Sequence, residues 1–77
     1  MRARGRVADP DLKAVGQRIR SLRQDLRQED FAADLGISQG QLSKIERGAM
    51  APTVSVLARL AMKFRKSIDW IVLGKHE

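Results

Sequence analysis

Between Gln28 and Arg47, QEDFAADLGISQGQLSKIER, the chain concentrates side chains suited to hydrogen bonding with nucleic acid rather than to making or breaking bonds. Placed on a helical wheel at about 100° per residue, Gly40, Ser43, Lys44 and Arg47 fall on one side of a helix beginning at Gln39, with Leu42, Ile45 and Glu46 on the other. The apolar side must face a core, which leaves short polar and cationic groups outward. A glutamine amide pairs bidentately with adenine in the major groove, a lysine donates to guanine or to phosphate, and the missing side chain of Gly40 lets the backbone approach the bases. Gln28 stands at the start of the preceding helix, where unpaired backbone N–H groups suit a phosphate oxygen. Taken alone, Gln28 reads more readily as a first-turn surface residue.

Catalytic chemistry finds no comparable cluster. His76 sits in the terminal tail between Lys75 and Glu77, without an acid–base or metal partner in the sequence around it. Glu29, Asp30 and Asp34 lie together on a very polar helix and read as its solvated face and first-turn dipole partners. No Gly-rich phosphate loop is present, and no enzyme activity, metal or cofactor is expected.

With 77 residues, 43% hydrophobic and 31% charged, the chain suits one small domain with a modest core. It has no cysteine, so neither disulfides nor thiolate metal sites can supplement helix packing, and a cytoplasmic setting is expected. No apolar run approaches the roughly 20 residues that span a bilayer, and the Arg-rich start lacks the apolar centre of a secretory signal. A net charge of +6 and a pI near 10.8 favour a polyanionic partner. The basic residues scatter over several helices instead of flanking one large apolar face, which argues against a membrane surface.

The elements that must position the polar face follow from periodicity and punctuation. Residues 1–10, with Arg2, Arg4 and Arg6, show no apolar period and read as a disordered basic arm; residues 11–77 form the folded domain. Leu12, Val15, Ile19, Leu22 and Leu26 make the stripe of a first amphipathic helix, capped by Asp9 or Asp11. A second helix runs from about Gln28 to Leu35, buries Phe31, Ala32 and Leu35, and ends at Gly36. Ser38 and Gln41 have the spacing of a capping box for the third helix, which ends at Gly48. Thr53 caps a fourth helix with Val54, Leu57, Ala58, Leu60, Ala61 and Phe64 on its apolar face, and Ser67 caps a short fifth helix closed by Gly74. No strand-like alternation appears, so the fold class is all-α.

Gln28, Phe31-Ala32, Leu35-Gly36-Ile37-Ser38, Leu42-Ser43-Lys44-Ile45-Glu46-Arg47-Gly48, Pro52-Thr53 and Leu57 together resemble the Xre family of helix-turn-helix proteins, which includes phage repressors and Cro proteins. The resemblance extends from about Leu12 to Gly74, with Ile68-Asp69-Trp70-Ile71 in the fifth helix. It implies a compact, lambda repressor-like five-helix domain that binds double-stranded DNA, usually as a homodimer, with the 39–47 helix in the major groove. By position it implies base contacts from Gln39, Gly40 and Lys44, and backbone contacts from Gln28, Ser43 and Arg47. Ser38, at the start of the same helix, and Arg27 join the backbone set. An arginine of the first helix often pairs with the glutamate at the position of Glu46, and Arg23 is the candidate here.

Two departures from the family pattern bear on the site. The connection Arg23-Gln24-Asp25-Leu26-Arg27-Gln28 is short and lacks the usual glycine. Arg27 replaces the usual Ser or Thr cap and cannot accept a backbone hydrogen bond, so Asp25 is expected to cap, with Gln28 completing a box and Arg27 left to meet phosphate. At Gly40 a longer side chain is common, so that base position is expected to be read weakly or through DNA shape.

Trp70, Ile71, Val72 and Leu73 are consecutive and point around most of a helix circumference, more than one small core covers. They are expected at a dimer interface about a two-fold axis, which sets two reading helices about 34–36 Å apart on a roughly palindromic operator. The expected function is a transcriptional regulator, a repressor acting by occupancy. The alternative is an antitoxin-like interaction module, in which the last helix meets a toxin partner and DNA binding is autoregulatory.

Overall fold

The computed structural model describes residues 9–75, so residues 1–8 of the expected arm and His76 lie outside the described residues. Five helices follow in order: α1 (Leu12–Arg23), α2 (Gln28–Leu35), α3 (Gln39–Glu46), α4 (Val54–Phe64) and α5 (Ile68–Leu73). Among the described residues there is no strand, and no helix is long and apolar enough to cross a membrane. α3 lies against both α1 and α2, and α5 against α1 and α4. The core is Val15, Ile19, Phe31, Ala32, Leu35, Leu42, Ile45, Val56, Leu60 and Ile71, so every helix contributes at least one fully buried side chain.

Local chemistry sets most boundaries. Asp11 caps α1 by accepting from the N–H groups of Lys13 and Ala14. Ser38 and Gln41 form the reciprocal box at the start of α3, and Thr53 and Ser67 cap α4 and α5. α2 stops because Gly36 enters the left-handed region at φ 74°, which lets Ile37 N–H donate back to the Ala32 carbonyl at 3.0 Å.

α1 and α3 approach more closely than their apolar stripes alone would bring them. At Gly16 the two backbones touch: a Cβ there would stand 2.5 Å from the Glu46 carbonyl oxygen, with the Ile45 carbonyl nearer still. Gly16 is the residue that permits this distance.

The structure corrects four expectations. α1 ends at Arg23, so Leu26, the last member of the stripe, lies in the turn and is 45% exposed. That turn is closed by Leu26 N–H donating to the Arg23 carbonyl at 3.0 Å, and Gln24, in place of a glycine, takes φ 53° and ψ −121°. Asp25 does not cap α2; the N-cap position is Arg27 and no side chain bonds the first-turn amides, because the turn separates Asp25 from the helix start. On α4 the buried residues are Val56 and Leu60, while Val54, in the first turn, points outward at 80% exposure.

The fourth correction concerns α5. Ile71, expected at a partner surface with its neighbours, is fully buried in the core. Trp70 and Val72 are half-buried and Leu73 is exposed. A six-residue helix against both α1 and α4 turns one side inward, and that side is the one carrying Ile71.

Candidate nucleic-acid interface

α2, the Gly36 turn and α3 present a polar surface on a buried base. Leu42 and Ile45 anchor α3 in the core, and on the outward side Gln39, Gly40, Lys44 and Arg47 are exposed while Ser43 is half-buried. Gly40 is not a packing requirement: a Cβ there would meet only the Ser38 hydroxyl, at 3.9 Å. The Ser38 hydroxyl accepts from Gln41 N–H at 3.1 Å, leaving its own proton to donate outward.

Beneath this surface runs a connected set of hydrogen bonds. Arg23 Nε donates to Glu46 Oε2 at 2.8 Å and its Nη2 to Glu46 Oε1 at 3.0 Å, a two-point pair between nearly buried side chains. The remaining guanidinium nitrogen, Nη1, donates to the Leu26 carbonyl at 2.8 Å and so holds the tight turn. Hydrogen bonding to Glu46 raises the Arg23 pKa above its usual value, against burial, which pulls it down. Glu46 Oε1 also accepts from Gln28 Nε2 at 2.9 Å, and Gln28 Oε1 accepts from Gln39 Nε2 at 3.4 Å. Among the described residues no buried polar side-chain atom is left without a partner.

Gln28 is therefore not a bare first-turn surface residue. Both ends of its amide are engaged, and the second proton of its Nε2, with the backbone N–H groups of this helix start, is what it has to offer a phosphate. Arg27 bonds Glu29 and lies 3.5 Å from Asp30, so it is ion-paired rather than left free. All three side chains are well exposed, a setting in which such pairs are worth about 0–1 kcal/mol and exchange readily. Lys63 reaches Asp34 at 3.4 Å and ties α4 to α2. The acidic residues of α2 are thus engaged with cations, and no group of His, Cys, Asp or Glu among the described residues is arranged to hold a metal ion.

Sequence reasoning did not find Arg18. Its Nε donates to the Ile71 carbonyl at 2.9 Å and its Nη2 to the Val72 carbonyl at 3.2 Å, which fastens the end of α5 to α1. A contact spanning this much sequence leaves no local signal. Pro10, Leu12, Val15, Ala51, Pro52, Leu57 and Val72 line an apolar hollow of about 140 Å³, and Leu73, which follows Val72 in the chain, is exposed. Lys66 Nζ lies 5.1 Å from the Trp70 ring centre.

Comparison with known proteins agrees with this arrangement. The sequence model of the helix-turn-helix family matches residues 19–71. The P22 c2 repressor protein, solved in complex with synthetic operator 9T, is 30% identical with a TM-score of 0.70, and the alignment covers 79% of this chain and 96% of that one. The restriction-modification controller protein C.AhdI from Aeromonas hydrophila is 28% identical with a TM-score of 0.67, over the same shares of the two chains. No curated protein sequence matches the chain.

Proposed function

The chain belongs to the helix-turn-helix family, and on that footing we propose that it is a DNA-binding transcriptional regulator, a repressor that occupies a roughly palindromic operator as a dimer. The carrying observation is the outward face of α3, where Gln39, Gly40 and Lys44 stand exposed on a helix fixed by Leu42 and Ile45. Gln39 and Lys44 meet base edges, Gly40 admits the backbone, and Ser38, Ser43 and Arg47 meet phosphates. Arg27 joins them by exchanging its carboxylate partners for a phosphate. The operator found with the P22 c2 repressor supports this reading, as does the basic charge of the chain.

The dimer surface is proposed around Leu73, Val72, Trp70 and the adjoining hollow, without Ile71. Selection of bound sequences from a random DNA pool tests both parts. The expected result is two related half-sites with centres about one helical turn apart. Enrichment of no sequence, or of single unpaired half-sites together with a monomer in sedimentation at high micromolar concentration, overturns the corresponding part.

A further inference from the structure

We infer that Arg18 is a positioning residue for the pairing of two copies: from α1 it holds the end of α5 in the form that a second chain meets. The inference rests on the reading that Val72 and Leu73 belong to a dimer surface. α5 has six residues, about half the length at which an isolated helix is even marginal in water, so contacts outside it must fix its shape. Its start is fixed by the Ser67 cap and its middle by Ile71, fully buried in the core. Its end has neither. A helix leaves its last four carbonyls without partners of its own. Here that of Trp70 accepts from Gly74 N–H at 3.0 Å, and those of Ile71 and Val72 accept from Arg18 Nε and Nη2 at 2.9 and 3.2 Å.

This clasp is charge-assisted and partly buried, a setting in which a hydrogen bond from a cation is stronger than one between neutral groups. Gly74 makes room for it: a Cβ there would stand 3.0 Å from Arg18 Nη1. Val72 and Leu73 lie at the clasped end. Without the guanidinium the last turn frays, its carbonyls turn toward water, and Val72 and Leu73 lose the fixed placement that a self-complementary surface needs. α3 is held separately, by Leu42 and Ile45 in the core and by the close approach at Gly16. Loss of Arg18 therefore divides two steps, leaving recognition of one half-site intact while weakening the joining of two.

The test uses the full chain and its Arg18→Met, Arg18→Lys and Leu73→Ser variants, with sedimentation for the dimer constant and titration of DNA carrying one selected half-site or two. Arg18→Met keeps the apolar stem and removes every donor, whereas Arg18→Lys keeps the charge but offers a single nitrogen where two are used. Arg18→Met should weaken the dimer, and the affinity for paired half-sites, by roughly tenfold or more, the weight of one charge-assisted hydrogen bond. Its affinity for a single half-site should stay within about twofold of the unaltered protein, and Arg18→Lys should fall between the two. An unchanged dimer constant in Arg18→Met overturns the proposal; if Leu73→Ser weakens the dimer in the same assay, the dimer reading stands. Equal loss of affinity for single and paired half-sites is what general loosening of the fold produces, and it overturns the proposal too. If the unaltered chain is a monomer that gains nothing from a second half-site, the dimer reading falls and the proposal with it. Circular dichroism establishes folding, and if Arg18→Met does not fold, Arg18→Lys decides, by a dimer weakened about threefold with single-site affinity kept.

Discussion

Replacing Gly16 by alanine sets two effects of opposite sign against each other at one atom. Alanine is favoured over glycine inside a helix by about 1 kcal/mol, so propensity alone predicts a more stable protein. The added methyl would stand 2.5 Å from the Glu46 carbonyl oxygen and 2.8 Å from its carbonyl carbon. Both are backbone atoms of α3 and cannot swing aside, so α1 and α3 must part by roughly 1 Å to reach normal contact. Overpacking of a tight interface costs about 1–3 kcal/mol; here it also loosens Leu42 and Ile45, so the upper end applies and packing outweighs propensity. The expected net loss is about 1–2 kcal/mol, a fall in Tm of about 4–8 °C per kcal/mol for a domain of this size. Thermal unfolding followed by circular dichroism measures it. Gly40→Ala is the control: its methyl has open space, and a gain of about 0.5 kcal/mol is expected in a first turn. A Gly16→Ala midpoint at or above that of the unaltered protein would refute the close approach as the reason for this glycine.

Gln24→Gly should stabilise the chain by about 1 kcal/mol, because relief of an L-residue at positive φ, about 1–2 kcal/mol, exceeds the added freedom of glycine in the unfolded chain; a lower urea midpoint would contradict this. Glu46→Ala leaves the Arg23 charge buried without its partner and should cost about 3–5 kcal/mol in chemical denaturation. Arg47→Ala should flatten the slope of log affinity against log salt concentration by about 0.9, the signature of one lost phosphate contact; an unchanged slope removes Arg47 from the interface.

What was legible in the sequence was what is local. Ser38, Thr53 and Ser67 cap through residues three positions away, and Gly36 ends α2 by its own conformation, so helix starts and stops could be placed from the chain alone. Faces were less secure where a helix is short or just beginning. Val54 and Val56 are equally apolar, and only the docking of α4 decides which is buried; four consecutive apolar residues on α5 likewise gave no signal that Ile71 takes the core. The outward row on α3 was visible because two apolar residues fix its orientation. The link from Glu46 through Gln28 to Gln39 was not, since it depends on how α2 and α3 cross and on which amide end faces a buried carboxylate. Gly16 and Arg18 act across long stretches of chain and look from sequence like an unfavourable helix residue and an ordinary surface cation.

Those two residues stand two positions apart on α1 and face different neighbours. At Gly16 the α1 backbone rests on α3; from Arg18 a guanidinium grips the last carbonyls of α5. In the proposed dimer, α3 meets DNA and α5 lies beside the symmetry axis, so less than one turn of α1 acts as the gauge between them. The interval between paired operator halves then becomes a mechanical property of this short span. A substitution here that tilts α1 without unfolding it should alter the preferred half-site spacing while leaving the bases read within each half unchanged.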